Sequence, residues 1–158
     1  MSVHPPHILD SIRELQRLAD LFVVRREQLA RSAGLTVAQW HVLEEISDEH
    51  FMPSMFARRR DSSAAAVSRT IRQLIDKKLI SVGVSDADGR MRNYRLTERG
   101  RELMSQLREN RSSAIEAVWG DLDRTELETF RAFSERLSQR LERFAAIESE
   151  GLNEKVLQ

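Results

Sequence analysis

Between residues 80 and 96 the spacing of apolar residues changes from helical to alternating and back. Ile80, Val82 and Val84 alternate with Ser81, Gly83 and Ser85, and after a gap Tyr94 and Leu96 alternate with Asn93 and Arg95. Period two is strand spacing, and Asp86-Ala87-Asp88-Gly89 between the two runs is a turn signal. A lone two-stranded hairpin is marginal in water, so it must pack on the rest of the chain. The rest reads as helix.

Residues Ile8 to Ala30 read as a long helix, with Ile8, Leu15, Phe22 and Leu29 every seven residues and Ile12, Leu18 and Ala19 widening the stripe. Gly34 ends it. Thr36 with Gln39 three residues later predicts a capping box for a second helix, in which Trp40, Leu43 and Ile46 share a face and which stops near Asp48. Pro53 suits the start of a short helix to about Arg60, followed by a turn and N-cap at Asp61-Ser62-Ser63. From Ala64 to Lys78, Val67, Ile71, Leu74 and Ile75 fall on one face and Ala65, Ser68, Arg69, Arg72 and Asp76 on the other. After the hairpin, Thr97 caps a helix carried by Leu103, Leu107, Ala114 and Val118 to about Trp119. Asp123 with Glu126 caps a last one, with a stripe of Leu127, Phe130, Ser134, Leu137, Leu141 and Phe144 beside Phe133. The tail after Glu148 is polar and is expected to fray.

The 158 residues suit one domain, and no run of 18 apolar residues marks a membrane helix. Met1 to Pro6 shows no basic segment followed by an apolar stretch, so no signal peptide and a cytoplasmic location are expected. Cysteine is absent, which excludes disulfides, thiolate metal sites and a cysteine redox switch. No His pair stands at helical i, i+4 spacing among His4, His7, His41 and His50, so no metal and no cofactor are expected. Nor is there a phosphate loop or nucleophile motif, so the chain is not expected to be an enzyme; Glu44-Glu45 is assigned to a solvent face. Net charge is zero, but residues 53–101 hold 12 Lys/Arg against 5 Asp/Glu, and the remainder 13 against 20. A molecule so divided carries one basic working surface.

Short helix, tight turn, second helix and basic hairpin, all inside that basic segment, compose a winged helix-turn-helix. The second helix of such a unit needs one apolar face for the core and one small or polar face for the major groove. Ala64, Ala65 and Ala66 permit close approach of its N-terminus, and Ser63 and Ser68 offer hydrogen bonds to phosphates or bases. Arg69 and Arg72 can bond guanine edges bidentately or pair with phosphates. Taken alone, that helix is equally an ordinary amphipathic one with a solvated basic face. The hairpin adds Asp88, Arg90, Arg92 and Arg95, and an arginine-bearing loop suits the negative potential of the minor groove. The fold class expected is mainly α with a small β-hairpin: a winged core at about 36–100, with dimerisation helices at about 8–30 and 101–148.

Three stretches resemble the MarR family of bacterial regulators: Leu35-Thr36-Val37-Ala38-Gln39-Trp40 with Val42-Leu43, Ala65-Ala66-Val67-Ser68-Arg69-Thr70-Ile71 with Leu74, and Leu79-Ile80 leading through Asp86, Asp88 and Arg90 to Leu96-Thr97-Glu98-Arg99-Gly100. The resemblance implies a homodimer that reads pseudo-palindromic double-stranded DNA, with Ser68, Arg69, Arg72, Arg90 and Arg92 as contacts. It also implies a sequence-specific transcriptional regulator, a repressor relieved by a small aromatic or phenolic effector bound between dimer helices and winged module. Arg58-Arg59-Arg60-Asp61 departs from the pattern, which often has an apolar residue near Arg60 and a glycine near Asp61; three arginines there offer extra phosphate contacts. Phe22, Trp40, His41, Phe51, Met52 and Met55 are candidates to line an effector pocket, with His41 as polar anchor, although core packing accounts for each singly. The alternative function is a DNA-binding or protein-interaction winged helix without an effector.

Overall fold

A computed structural model describes residues 5–48, 51–84 and 92–156. In chain order the elements are α1 (Pro6–Ser32), α2 (Val37–Ser47), α3 (Pro53–Arg59), α4 (Ala64–Asp76), β1 (Ile80–Val84), β2 (Arg92–Leu96), α5 (Glu98–Trp119) and α6 (Arg124–Val156). The mainly helical class with one hairpin is therefore the observed one. β1 and β2 pair antiparallel, from Ile80 opposite Leu96 to Val84 opposite Arg92. The chain forms two compact units, residues 1–113 and 114–158.

Local chemistry accounts for the helix starts. Thr36 Oγ1 accepts from the Gln39 amide at 3.1 Å and Gln39 Oε1 accepts from the Thr36 amide at 3.2 Å, closing the expected capping box. Ser63 Oγ accepts from Ala66 N at 3.1 Å, Thr97 Oγ1 from Gly100 N at 3.0 Å, and Asp123 Oδ2 from Thr125 N at 2.8 Å. Each satisfies an amide the helix itself leaves unpaired.

Three helices end on one device. Gly34, Asp61 and Lys78 have φ of 68°, 47° and 58°. After each, a six-to-one bond closes the turn: Leu35 N to Ala30 O at 2.9 Å, Ser62 N to Ala57 O at 2.9 Å and Leu79 N to Leu74 O at 3.0 Å. Such Schellman caps reverse the chain within a few residues and satisfy otherwise orphaned carbonyls. At two of them the paired apolar residues, Ala30 with Leu35 and Leu74 with Leu79, are buried.

The core lies in the first unit. Leu43, Leu74 and Leu107 are wholly buried, with Trp40, Val42, Val67, Ile71, Leu79, Ile80 and Met104 in the same cluster. The hairpin leans on this cluster through Ile80, with Tyr94 and Leu96 packed against it. Its entry and exit are pinned together: Thr97 N donates to Leu79 O at 3.0 Å, and Thr97 Oγ1 donates to Lys78 O at 2.8 Å. In the second unit none of the described side chains of α6 is buried, and Leu127, Ser134 and Leu137 are half-buried.

Four sequence expectations need correction. Ile75 is 38% exposed, because the side chains of α4 that reach the core are Val67, Ile71 and Leu74. α4 stops at Asp76 rather than Lys78, since Lys78 takes the left-handed turn. α6 continues to Val156 instead of ending near Glu148; residues 149–156 contain no proline, and their one glycine, Gly151, does not break the helix. Glu44 and Glu45 are both half-buried, held by arginines of other elements.

Gly100 marks the tightest approach: a Cβ there would overlap the Leu79 carbonyl oxygen. Gly100→Ala is expected to lower stability by about 1–3 kcal/mol, the usual penalty for overpacking. An unchanged urea midpoint would show that this junction yields without cost.

Candidate nucleic-acid interface

The turn between α3 and α4 holds its geometry with Arg60 and Asp61 in place. Asp61 supplies the left-handed corner itself; Asp enters that region more readily than most residues because its short side chain bonds locally. Arg60 lays its guanidinium over the Phe56 ring, 5.8 Å from the centroid, so its charge stays wet while its stem covers apolar surface. Arg59 Nη2 donates to Glu45 Oε2 at 2.6 Å and ties α3 to α2. An ion pair this exposed adds at most about 1 kcal/mol; its value is positional. Of the three arginines expected to add phosphate contacts, Arg59 is engaged within the chain. Arg58 is exposed and has no carboxylate within 4 Å among the described residues.

Apart from Ile75, α4 divides as expected. Val67, Ile71 and Leu74 are buried, while Ser63, Ala64, Ala65, Ser68, Arg69 and Arg72 are exposed. Neither Arg69 nor Arg72 has a carboxylate within 4 Å among the described residues, so both charges are available to a partner. Ser63 differs in detail: its oxygen caps the helix, which leaves its hydroxyl proton to donate outward. In the hairpin, Arg92 opens β2 opposite Val84, and Arg95 faces Ser81; both are exposed. Asp86, Asp88 and Arg90 lie outside the described residues.

An aromatic series unseen in the sequence joins hairpin to helices. Phe51 packs edge-on against Phe56 of α3 at 5.6 Å and against Tyr94 of β2 at 5.5 Å. Phe51 precedes α3 in a segment with no periodic pattern, so spacing carried no signal for it.

The proposed pocket residues are spread over several environments. Trp40 is buried in the core, Phe51 belongs to the aromatic series, and Phe22, Met52 and Met55 are about half exposed. A cavity of about 580 Å³ opens beside the Ala33–Leu35 corner, and none of the six candidates lines it. His41 is half-buried, with Arg26 Nη1 3.4 Å from its Nε2, a contact that suits a neutral ring accepting from the guanidinium. Burial, then the charges of Arg60 and Arg26, hold the imidazole below its ordinary value of 6.5, against the opposing pull of Glu45. Among the described residues no group of three His or acidic side chains is placed to hold a metal ion, and no helix is long and apolar enough to cross a membrane.

Residues 33–91, spanning the α1–α2 corner to the hairpin, match the model of the MarR family. The likeness is to transcriptional regulators with a DNA-binding winged helix, not to enzymes. Over 145 residues, 88% of this chain and 96% of the relative, it is 24% identical to the HTH-type transcriptional regulator TcaR of Staphylococcus aureus strain Newman. The fold is that of S. aureus MepR in a DNA complex, with a TM-score of 0.63 and 21% identity over 80% of this chain and 93% of that one. It is also that of S. aureus MarR in complex with salicylate and kanamycin, with a TM-score of 0.71 and 17% identity over 88% and 95%.

A depressed His41 has a signed consequence. The unfolded chain takes up a proton near pH 6.5 and the folded chain resists it. The stability linked to neutral His41 is therefore complete above 6.5 and is lost as pH falls toward and through the folded value. Melting temperatures of the wild type should drop between pH 7 and 5 more steeply than those of His41→Gln; parallel curves would contradict the assignment.

Proposed function

We propose that this chain is a MarR-family regulator that binds operator DNA as a homodimer, each protomer placing α4 in the major groove and its hairpin in the adjacent minor groove. The observation that carries the reading is the division of α4: an aliphatic face in the core, and an outward face of Ser68, Arg69 and Arg72 whose charges have no internal partner among the described residues. Ser63 and Ala65 at the N-terminus stand against phosphate, with Arg90 and Arg92 as the hairpin contacts. The MepR–DNA complex supports this use of the fold. The winged module spans about 36–100, and helices at about 8–30 and 101–148 join the two copies.

Support for the dimer comes from exposed apolar side chains. In α1, Leu21, Phe22, Val23 and Val24 are each about half exposed, so the helix is apolar on all sides there. In α6, Phe130, Phe133, Leu141, Phe144 and Ile147 are 44–68% exposed. Contiguous exposed patches of this kind mark interaction surfaces, and two-fold symmetry supplies paired modules for half-sites about 34–36 Å apart. Leu141→Asp combined with Phe144→Asp is expected to leave the winged module folded, yield monomers by sedimentation and abolish operator binding. A stable dimer of the double variant would place the interface elsewhere.

In the same reading the protein is a repressor relieved by a small aromatic acid, as the salicylate-bound S. aureus MarR supports. His41 beside Arg26 supplies a polar corner for a carboxylate, and Phe22, Trp40, Met52 and Met55 are the apolar candidates around it. Salicylate at ~100 times its dissociation constant would stabilise the protein by ~2.7 kcal/mol in a melting assay.

Selection of bound duplexes from a random pool tests the central claim. Against the selected operator, Arg69→Ala and Arg72→Ala should each cost about 1–3 kcal/mol of discrimination at one base position if they read guanine. Arg90→Ala should flatten the salt dependence by about one unit of slope with fold intact. Binding indifferent to all three changes would refute this orientation on DNA.

A further inference from the structure

Among the described residues the core contains one buried polar side chain, Gln39, at 4% exposure. Both polar atoms of its amide are engaged. Oε1 accepts from the Thr36 amide at 3.2 Å and from Lys77 Nζ at 3.1 Å, and Nε2 donates to Gln73 Oε1 at 2.9 Å. Lys77 Nζ also donates to the Gly34 carbonyl at 2.6 Å. The capping box explains the bond to Thr36 and none of the others. Those join the corner after α1 and the first turn of α2 to the last turn of α4, across 34 to 43 residues of sequence.

We propose that Gln39 and Lys77 are positioning residues for DNA reading: the joint they form sets the roll and axial placement of α4 against the α1–α2 corner. The proposal rests on the reading of α4 as the helix that enters the major groove. Its basis is a difference between two kinds of contact. Val67, Ile71 and Leu74 hold α4 by apolar burial, which is non-directional and tolerates small rotations. Side-chain tips lie ~5 Å from a helix axis, so a roll of ~20° moves Arg69 and Arg72 by about 2 Å. That exceeds the tolerance of a hydrogen bond, whose usable range is about 0.5 Å. The bonds at Gln73 and Lys77 are directional: Gln73 follows Arg72 directly on the same rigid helix, and Lys77 is its C-cap. Lys77 touches only neutral oxygens here, with no carboxylate within 4 Å among the described residues, so it acts as a strut rather than an ion pair. Buried polar groups of this kind commonly add little net stability and are replaceable by apolar ones, while fixing one geometry among several.

The test measures the full-length protein on two duplexes, its selected operator and a random-sequence duplex of equal length, across a salt series. Gln39→Leu and Lys77→Met are expected to keep the melting temperature and to keep affinity and salt slope on the random duplex. They should lose operator affinity by about tenfold or more, as for one misplaced base contact. Lys77→Arg, which retains donors, should restore most of it. An unchanged operator-to-random ratio in both folded variants overturns the proposal. So does equal loss on both duplexes with a salt slope flatter by about one unit, which would make Lys77 a phosphate contact. Lys77 is exposed, so Lys77→Met decides the matter even where Gln39→Leu fails to fold. A wild type that binds no duplex removes the reading of α4 and this proposal with it; a discriminating wild type with equally discriminating variants removes this proposal alone.

Discussion

Leu43, Leu74 and Leu107 come from three different helices and share one buried cluster in which each is essentially without solvent contact. Burial of such side chains supplies about 1.5–3 kcal/mol apiece, and α2, α4 and α5 are fixed around them. α2 brings the capping box and His41, α4 brings its outward arginines, and α5 receives the chain as it leaves the hairpin. The hairpin has two strands and could not persist alone. Ile80 and Leu79 anchor it in the cluster, and the bonds among Thr97, Lys78 and Leu79 close its base.

Packing and charge are separated by face rather than by segment. One side of α4 is aliphatic and dry, and the other is small, polar and cationic. The charges follow the same logic. Arg59 is retained by Glu45 and Arg60 by an aromatic ring, whereas Arg69 and Arg72 are left open. An internal carboxylate on either would have to be displaced before a phosphate or base edge could bind.

Much of this was legible in the sequence because it depends on local chemistry. Thr36 with Gln39, Ser63, Thr97 and Asp123 each announced a helix start through side-chain bonding within four residues, Pro53 announced one through its fixed φ, and alternation announced both strands. What escaped was non-local or without period. The Phe51–Phe56–Tyr94 series joins residues up to 43 positions apart in sequence, and neither spacing nor composition marks it. The pairing of Glu45 with Arg59 placed a carboxylate assigned to solvent inside a helix junction. Ile75 shows the limit of helical periodicity: it lies at the edge of the apolar stripe, where a modest rotation decides between core and solvent. The same sequence proximity that predicts a cap also hid the second role of Gln39, because its partners on α4 lie more than thirty residues away.

The left-handed helix ends carry a consequence for how much sequence freedom the molecule has left. Of the three, glycine occupies the first alone, and Asp61 and Lys78 bear a Cβ in a region that costs an L-residue roughly 1–2 kcal/mol. Both flank α4, one on each side. Marginally stable proteins commonly retain such unoptimised positions, and these two are reserves from which a lineage can draw. A glycine at either corner would relax the backbone without touching an outward side chain of α4, and the margin gained would permit costlier substitutions on that exposed face.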